Sequence, residues 1–184
     1  DTLSARATSG GINILETDGL TIEDTSATTN RIDNAGTTAT LTDSSQAGVS
    51  TSSGNGSIVL RSTSGNLITS AQVTAHGSGR LLLQAISGAV SITRAVSSTT
   101  GDISILANAA LNTSATGSIS TGLIASIDLE SLNSSITIGV GTTVSTDSGN
   151  IRVYAQTTIT LGGQIATSGK VGLFANNGSI SDGD

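Results

Sequence analysis

Residues 101–107 read Gly-Asp-Ile-Ser-Ile-Leu-Ala, and this alternation of aliphatic and polar side chains decides the fold of the chain. A period of two is typical of a β-strand with one buried face. The six-residue pattern within this stretch recurs along the sequence. Its six copies are Ser57–Ser62, Arg80–Ala85, Asp102–Ala107, Ser126–Ser131, Asn150–Ala155 and Lys170–Ala175.

The copies recur every 20 to 24 residues, because their first aliphatic residues stand at positions 58, 81, 103, 127, 151 and 171. One strand at a fixed place in each such unit is typical of a solenoid. Two weaker alternating stretches follow it, such as Ser135–Ile138 and Thr143–Ser145. Three strands and three corners bring the chain back beside itself, displaced by about 4.8 Å. The sequence therefore predicts an all-β parallel β-helix of about eight coils of about 23 residues, with three short strands per coil.

Alignment of the six copies predicts which side chains share the core. Two columns are aliphatic throughout, and a third holds only Ser or Ala, which suits a narrow corner. The first column is Ile58, Leu81, Ile103, Ile127, Ile151 and Val171. The second is Leu60, Leu83, Ile105, Leu129, Val153 and Leu173. The third is Ser62, Ala85, Ala107, Ser131, Ala155 and Ala175.

The chain is interpreted as one β-helical domain, residues 1–184, with irregular coils over 1–50 and regular coils over 51–184. Gly11–Ile14 and Gly19–Ile22 are predicted to be two strands of one coil. Ala39–Leu41 is predicted to be a strand of the next coil, after an extended loop over Thr25–Gly36. The 46 residues from position 12 to position 58 equal about two periods.

Composition narrows the function classes. The chain of 184 residues has no Cys, which excludes disulfides and thiolate metal sites, and its single His cannot form a His-based metal site. Its net charge is −6, and seven of its acidic residues lie within residues 1–50, so no basic nucleic-acid footprint exists. No apolar run is long enough to span a membrane. We therefore expect no cofactor, no nucleic acid and no membrane insertion. Because the sequence starts without Met and ends within the pattern, we expect an excerpt of something longer.

The stretches at 101–107, 149–155 (Gly-Asn-Ile-Arg-Val-Tyr-Ala) and 117–121 (Gly-Ser-Ile-Ser-Thr) resemble the repeat region of filamentous-haemagglutinin-type exoproteins. Similar repeats occur in other giant bacterial surface proteins and in autotransporter passengers. The resemblance covers residues 50–184 clearly and residues 1–49 loosely, at the level of the repeat. It implies a right-handed parallel β-helix, secreted to the cell surface or the extracellular matrix. It offers no catalytic residue to transfer. The Asn-Pro motifs of that family's secretion domain are absent, since the chain has no Pro.

Outward positions on the repeating strand predict a partly apolar face. The residues expected to form an interface there are Val59, Leu82, Leu106, Tyr154 and Phe174. The two aromatic residues of this set are the only ones in the chain and are predicted to stack on adjacent coils. A surface stripe of this kind often marks a partner contact. The alternative is ordinary cross-strand pairing of exposed side chains.

Asp128 and Glu130 are the one carboxylate pair on a predicted strand face. Such a pair could catalyse glycoside hydrolysis. However, Asp128 should lie beside Arg152, one coil along, and no long loop is available there to form a cleft. The sequence therefore favours a non-catalytic protein, and no catalytic, metal or cofactor residue is assigned.

The function expected from these observations is an extracellular structural or adhesive rod or filament component of a bacterial surface or matrix. Its expected partners are other copies of itself or adjoining repeats, end to end or laterally, with surface glycans as candidate ligands. One alternative is a β-helix that binds or degrades polysaccharides. A second is an ice-binding solenoid, which needs matched outward columns of Thr that the sequence does not display.

Overall fold

A computed structural model describes residues 1–184 and contains β-strands but no helix. It follows that no helix could cross a membrane. The strands are short because each alternating stretch ends at a corner rich in Gly, Ser, Thr or Asn. In chain order they are β1 (Thr2–Leu3), β2 (Ala5–Ala7), β3 (Ile12–Glu16), β4 (Leu20–Ile22), β5 (Thr28–Ile32), β6 (Thr38–Thr42), β7 (Val49–Thr51), β8 (Ile58–Ser62), β9 (Leu67–Thr69), β10 (Val73–Ala75), β11 (Leu81–Ala85), β12 (Val90–Ile92), β13 (Val96–Ser98), β14 (Ile103–Ala107), β15 (Leu111–Thr113), β16 (Ile119–Ser120), β17 (Ile127–Ser131), β18 (Ile136–Ile138), β19 (Thr143–Ser145), β20 (Ile151–Ala155), β21 (Ile159–Leu161), β22 (Gln164–Ala166), β23 (Val171–Ala175) and β24 (Ile180–Asp182).

Three parallel sheets run the length of the molecule, and each coil contributes one strand to each. Sheet I has the order β1-β4-β9-β12-β15-β18-β21-β24. Sheet II has the order β2-β7-β10-β13-β16-β19-β22. Sheet III, which contains the six-residue repeats, has the order β3-β8-β11-β14-β17-β20-β23. The predicted solenoid of about eight coils, with three strands per coil, is therefore confirmed.

The predicted columns of sheet III are also confirmed, because every coil pairs with the next at the same register. Ile103, for example, lies between Leu81 and Ile127. Both aliphatic columns are fully buried except in the last coil, where Val171 is 46% exposed because no further coil covers it. Burial of one such side chain contributes about 1.5–3 kcal/mol.

A column of hydroxyl groups lines the interior corner between sheets II and III. Each hydroxyl donates a hydrogen bond to a carbonyl oxygen of the same corner region. Three such bonds join Ser98 Oγ to Gly79 O at 2.7 Å, Thr121 Oγ1 to Gly101 O at 2.8 Å, and Thr146 Oγ1 to Ala125 O at 2.8 Å. Buried carbonyl groups at a bend need such partners. The hydroxyl column therefore allows a tight corner without unsatisfied polar atoms.

Glycine is required at the same corner because successive coils bring their backbones into contact. A Cβ atom built on Gly149 would lie 1.8 Å from Ala125 O, and one on Gly101 would lie 2.1 Å from Gly79 O. Any larger residue would force the coils apart. Gly172 lies on the outer face of sheet III instead, with nothing within 4 Å of its hypothetical Cβ.

The first fifty residues differ in part from the prediction. Gly11–Ile14 and Gly19–Ile22 do supply β3 and β4 of one coil. The other two expectations are wrong: Thr25–Gly36 is not a loop throughout, and Ala39–Leu41 is not a strand of the next coil. These segments form β5 and β6, an antiparallel hairpin outside the three sheets.

The spacing of 46 residues is therefore one coil with an insertion and not two coils. Ile12 pairs directly with Ile58, and Ala5 pairs directly with Val49. Residues 23–48 connect β4 to β7, whereas Ser70–Gln72 are enough to connect β9 to β10. The hairpin leaves the solenoid at a corner and returns to it without disturbing the register of any sheet.

Candidate functional site on the outer face of sheet III

The outer face of sheet III presents two columns of side chains, since alternate residues of each strand point away from the core. The first column is Asn13, Val59, Leu82, Ser104, Asp128, Arg152 and Gly172. The second is Leu15, Arg61, Gln84, Leu106, Glu130, Tyr154 and Phe174. All five residues of the predicted interface lie on this face.

Tyr154 and Phe174 stack as predicted, on adjacent coils. Their ring centroids are 5.5 Å apart, and the ring planes differ by 10°. The guanidinium carbon of Arg152 lies 5.1 Å from the centroid of the Tyr154 ring, within reach of a cation–π contact. Phe174 stays 55% exposed. The aromatic pair thus combines a cationic neighbour with an uncovered ring, a composition that is enriched at protein interfaces.

Arg152 is also the centre of an ion-pair cluster. Its Nη1 atom donates to Asp128 Oδ1 and to Glu130 Oε2, both at 2.7 Å. The hydrogen bond to Glu130, followed by the one to Asp128, raises the pKa of Arg152. Since the three side chains are partly exposed, each pair contributes under about 1 kcal/mol. Both carboxylates of the candidate catalytic pair therefore serve as partners of one guanidinium.

A second apolar feature lies nearer the beginning of the chain. Val59 and Leu82 are paired neighbours in the first outward column. They form the floor of a shallow depression of about 320 Å³. Arg80 and Asp102 line the same depression, with Arg80 Nε 3.4 Å from Asp102 Oδ2. An apolar floor with a few polar groups at its rim is typical of small-molecule sites.

The five predicted interface residues thus do not form one continuous stripe. Val59 and Leu82 form one patch, and Tyr154 and Phe174 form another. Leu106 lies between them and pairs with Glu130, which belongs to the ion-pair cluster. The shared face is confirmed, whereas its use as an interface remains a prediction.

Sequence reasoning missed Leu15, which extends the second column by one coil and is 62% exposed. Its pattern, Ile12-Asn-Ile-Leu-Glu16, does match the repeat. The inserted hairpin doubles the spacing to the next copy, so a constant period does not identify this stretch as a seventh copy.

Two further exposed apolar residues were missed at the corner between β16 and β17. Leu123 is 58% exposed and Ile124 is 82% exposed. Leu123 has a φ of 55°, and its amide N donates to Asp147 Oδ2 at 2.8 Å. The alternation that predicts the outer faces of the strands does not extend into the corners, so it gives no signal for these two side chains.

The other titratable groups do not converge on one place. His76 lies exposed at a corner after β10, and its amide N donates to Thr51 Oγ1 at 2.9 Å. No group of three or more His, Cys, Asp or Glu side chains is arranged to hold a metal ion. Comparisons with protein-family models, with curated proteins and with solved structures found no match.

Proposed function

We propose that this chain is a rod-shaped structural or adhesive module of a bacterial surface or extracellular matrix and has no catalytic role. The observation that carries the proposal is its single core, a cluster of 30 buried residues that continues from coil to coil. Each coil is supported chiefly by the coils next to it, which is the mechanical principle of a solenoid. The extracellular location rests on the resemblance of the repeats to bacterial exoproteins.

The partners in this proposal are further coils, supplied by other copies or by adjoining repeats. The last coil leaves Val171 and Ile180 46% and 47% exposed, although both belong to the columns that are buried elsewhere. A coil of the same type would bury these side chains and pair with the free edges of β23 and β24. The outer face of sheet III would serve lateral contacts through its aromatic pair.

Electron microscopy of the purified chain over a range of protein concentrations tests whether copies of the chain assemble into rods. We expect filaments whose fibre diffraction has a meridional spacing of about 4.8 Å, because the strands run across the rod axis. Compact single particles at every concentration, as judged also by small-angle scattering, would contradict the self-assembling form of the proposal.

A double variant tests the proposed lateral contact between rods. Tyr154→Ser combined with Phe174→Ser removes the aromatic pair and should weaken side-by-side association of rods. Ile68→Ser is the matched control, since Ile68 points outward from sheet I and is also partly exposed. Light scattering on both variants measures the difference. If association is equally strong in the two, the outer face of sheet III is not the lateral contact.

A second candidate function, polysaccharide binding, is favoured by the depression over Val59 and Leu82. Its apolar floor suits one face of a sugar ring, and Arg80 with Asp102 supplies hydrogen-bonding groups at the rim. Affinity electrophoresis in gels containing anionic or neutral glycans tests it, with Leu82→Lys as the blocking variant. Equal retardation of wild type and variant would remove this candidate, and release of reducing sugars would reveal a degrading activity.

A further inference from the structure

The hairpin β5–β6 projects from the corner between β4 and β7 and is separate from the three sheets. Residues 26–45 are all exposed. The base is fixed by a bridge between Thr25 and Gln46 and by the bond from Gly48 N to Asp24 Oδ1 at 3.0 Å. A hairpin of two strands alone is marginally stable in water. This arm therefore exposes two strand edges that further pairing would stabilise.

The register of the hairpin shows which backbone groups face outward. Asp33 N donates to Thr37 O, and Asp43 N donates to Ala27 O. Because hydrogen-bonded and non-hydrogen-bonded pairs alternate in an antiparallel ladder, the pairs Thr29–Leu41 and Arg31–Ala39 are the bonded ones between them. Thr38, Thr40 and Thr42 consequently turn their N–H and C=O groups away from β5, toward the outer edge of β6.

The outer edge of β6 lacks the features that usually protect an exposed strand. Its sequence, Thr38-Ala-Thr-Leu-Thr42, contains no charge, no Pro and no Gly. Proteins commonly protect edges with such residues, and strands rich in β-branched residues without them pair readily. β5 differs because it carries Arg31.

We propose that β6 pairs with β6 of a second copy about a two-fold axis through Thr40. The strand reads nearly the same in both directions about this residue, as a symmetric interface requires. In this register Thr40 faces Thr40 of the copy and Thr38 faces Thr42, so each bonded pair uses the outward backbone groups. Ala39 then faces Leu41 in a non-bonded pair, where side chains come closest.

The side chains favour a second copy as the occupant. Leu41 is 46% exposed in the single chain and would pack against Ala39 of the other copy. The Thr side chains would continue as a hydroxyl ladder across the new four-stranded sheet, and cross-strand Thr pairs are stabilising. The corresponding pairing of β5 with itself would bring two Arg31 side chains onto one diagonal, which is unfavourable.

Sedimentation velocity of the full chain over a concentration series tests the pairing, with Thr40→Pro as the blocking variant. Pro removes an outward N–H at the centre of the proposed contact but no bond between β5 and β6. Asn30→Pro is the matched control, because Asn30 lies opposite Thr40 and turns its N–H toward the other edge. At protein concentrations below those at which rods assemble, we expect a monomer–dimer equilibrium in wild type and control, and a dissociation constant at least about tenfold higher in Thr40→Pro.

Two controls keep the result interpretable. Slow amide exchange at Asp43, which bonds Ala27, reports that the hairpin remains folded in each variant. The combined Tyr154→Ser and Phe174→Ser variant separates this contact from the lateral face of the proposed function. A wild type that stays monomeric, or a Thr40→Pro variant that dimerises like wild type, would overturn the proposal. The former result would leave an extended peptide of another protein as the alternative occupant.

Because the chain has no Cys, a single introduced Cys is its only thiol. Disulfide cross-linking through that residue therefore tests the register directly. Thr40→Cys should give a disulfide-linked dimer when diamide oxidises the two facing thiols. Asn30→Cys, on the opposite edge, should give none under the same conditions. Equal cross-linking of both variants would contradict pairing through β6.

Discussion

Thr146 shows what a single inward residue does at the corner between sheets II and III. It is 5% exposed, and its hydroxyl donates to Ala125 O. Thr146→Val keeps the shape of the side chain but leaves that buried carbonyl without this donor, so we expect a loss of about 1–3 kcal/mol in the free energy of unfolding.

Urea unfolding measures this loss. Thr160→Val is the matched control, because Thr160 points outward from sheet I and is partly exposed. The control should stay within about 0.5 kcal/mol of wild type. Equal effects of the two substitutions would show that the buried hydroxyl column does not support the corner.

Thr146 supports the corner through its side chain, whereas position 149 at the same corner requires a residue without one. Gly149→Ala places a methyl group 1.8 Å from Ala125 O, and we expect destabilisation of about 1–3 kcal/mol or more. Gly172→Ala adds the same methyl group where nothing lies within 4 Å, and it should stabilise the protein by about 0.4–1 kcal/mol. Thermal unfolding followed by circular dichroism compares them, and a loss of stability at Gly172 matching that at Gly149 would refute close backbone packing as the cause.

The inward residues of sheet III could be predicted from the sequence because each column repeats one size class at one register. The hydroxyl column at the corner between sheets II and III could not. Ser98, Thr121 and Thr146 each follow a Val or Ile by two positions, but the exposed Ser70 follows Ile68 at the same spacing. Only the position of the corner distinguishes a buried hydroxyl from a solvated one.

At the scale of the element, Asp33 organises the turn between β5 and β6. Its Oδ1 accepts from Ala35 N and Thr37 N, both at 2.9 Å, and its Oδ2 accepts from Thr37 Oγ1. The hydroxyl of Thr37, followed by its amide, holds the pKa of Asp33 below the usual 3.8. Because the folded pKa is lowered, the contribution to stability is present above pH 3.8 and is lost as the pH falls through the lowered value.

We therefore expect the amide resonances of Ala35 and Thr37 to shift together as the hairpin is acidified below pH 3.8. Nuclear magnetic resonance titration measures this shift. Asp33→Asn should remove the pH dependence, whereas Asp43→Asn should preserve it. A titration that survives Asp33→Asn would mean that another group controls the turn.

The hairpin was not predicted because its composition fits two structures equally well. Thr-rich alternation over residues 38–42 suits a strand of a coil as well as a strand of a hairpin. The distinguishing signal was the turn Asp33-Asn-Ala-Gly36, in which Gly36 has a φ of 78°. A tight turn between two alternating stretches favours antiparallel pairing, which the assumption of a constant period obscured.

At the scale of the whole molecule, stability should decrease from the central coils to the last one. Ile105 is fully buried between neighbouring coils, whereas Val171 is 46% exposed. We expect Ile105→Ala to cost about 2–5 kcal/mol and Val171→Ala much less, because little cavity forms where no coil covers the site. Hydrogen exchange of the isolated chain should show the same gradient, with β14 protected more strongly than β23. Uniform protection along the chain would contradict stabilisation by nearest neighbours.

The corner between β4 and β7 has an engineering consequence. Twenty-six residues leave and re-enter the coil there, yet strands on either side of the excursion keep the spacing of an uninterrupted stack. The solenoid therefore tolerates an insertion at this junction. A foreign epitope or small domain that replaces residues 26–45 would project from the solenoid, and the three sheets would remain intact.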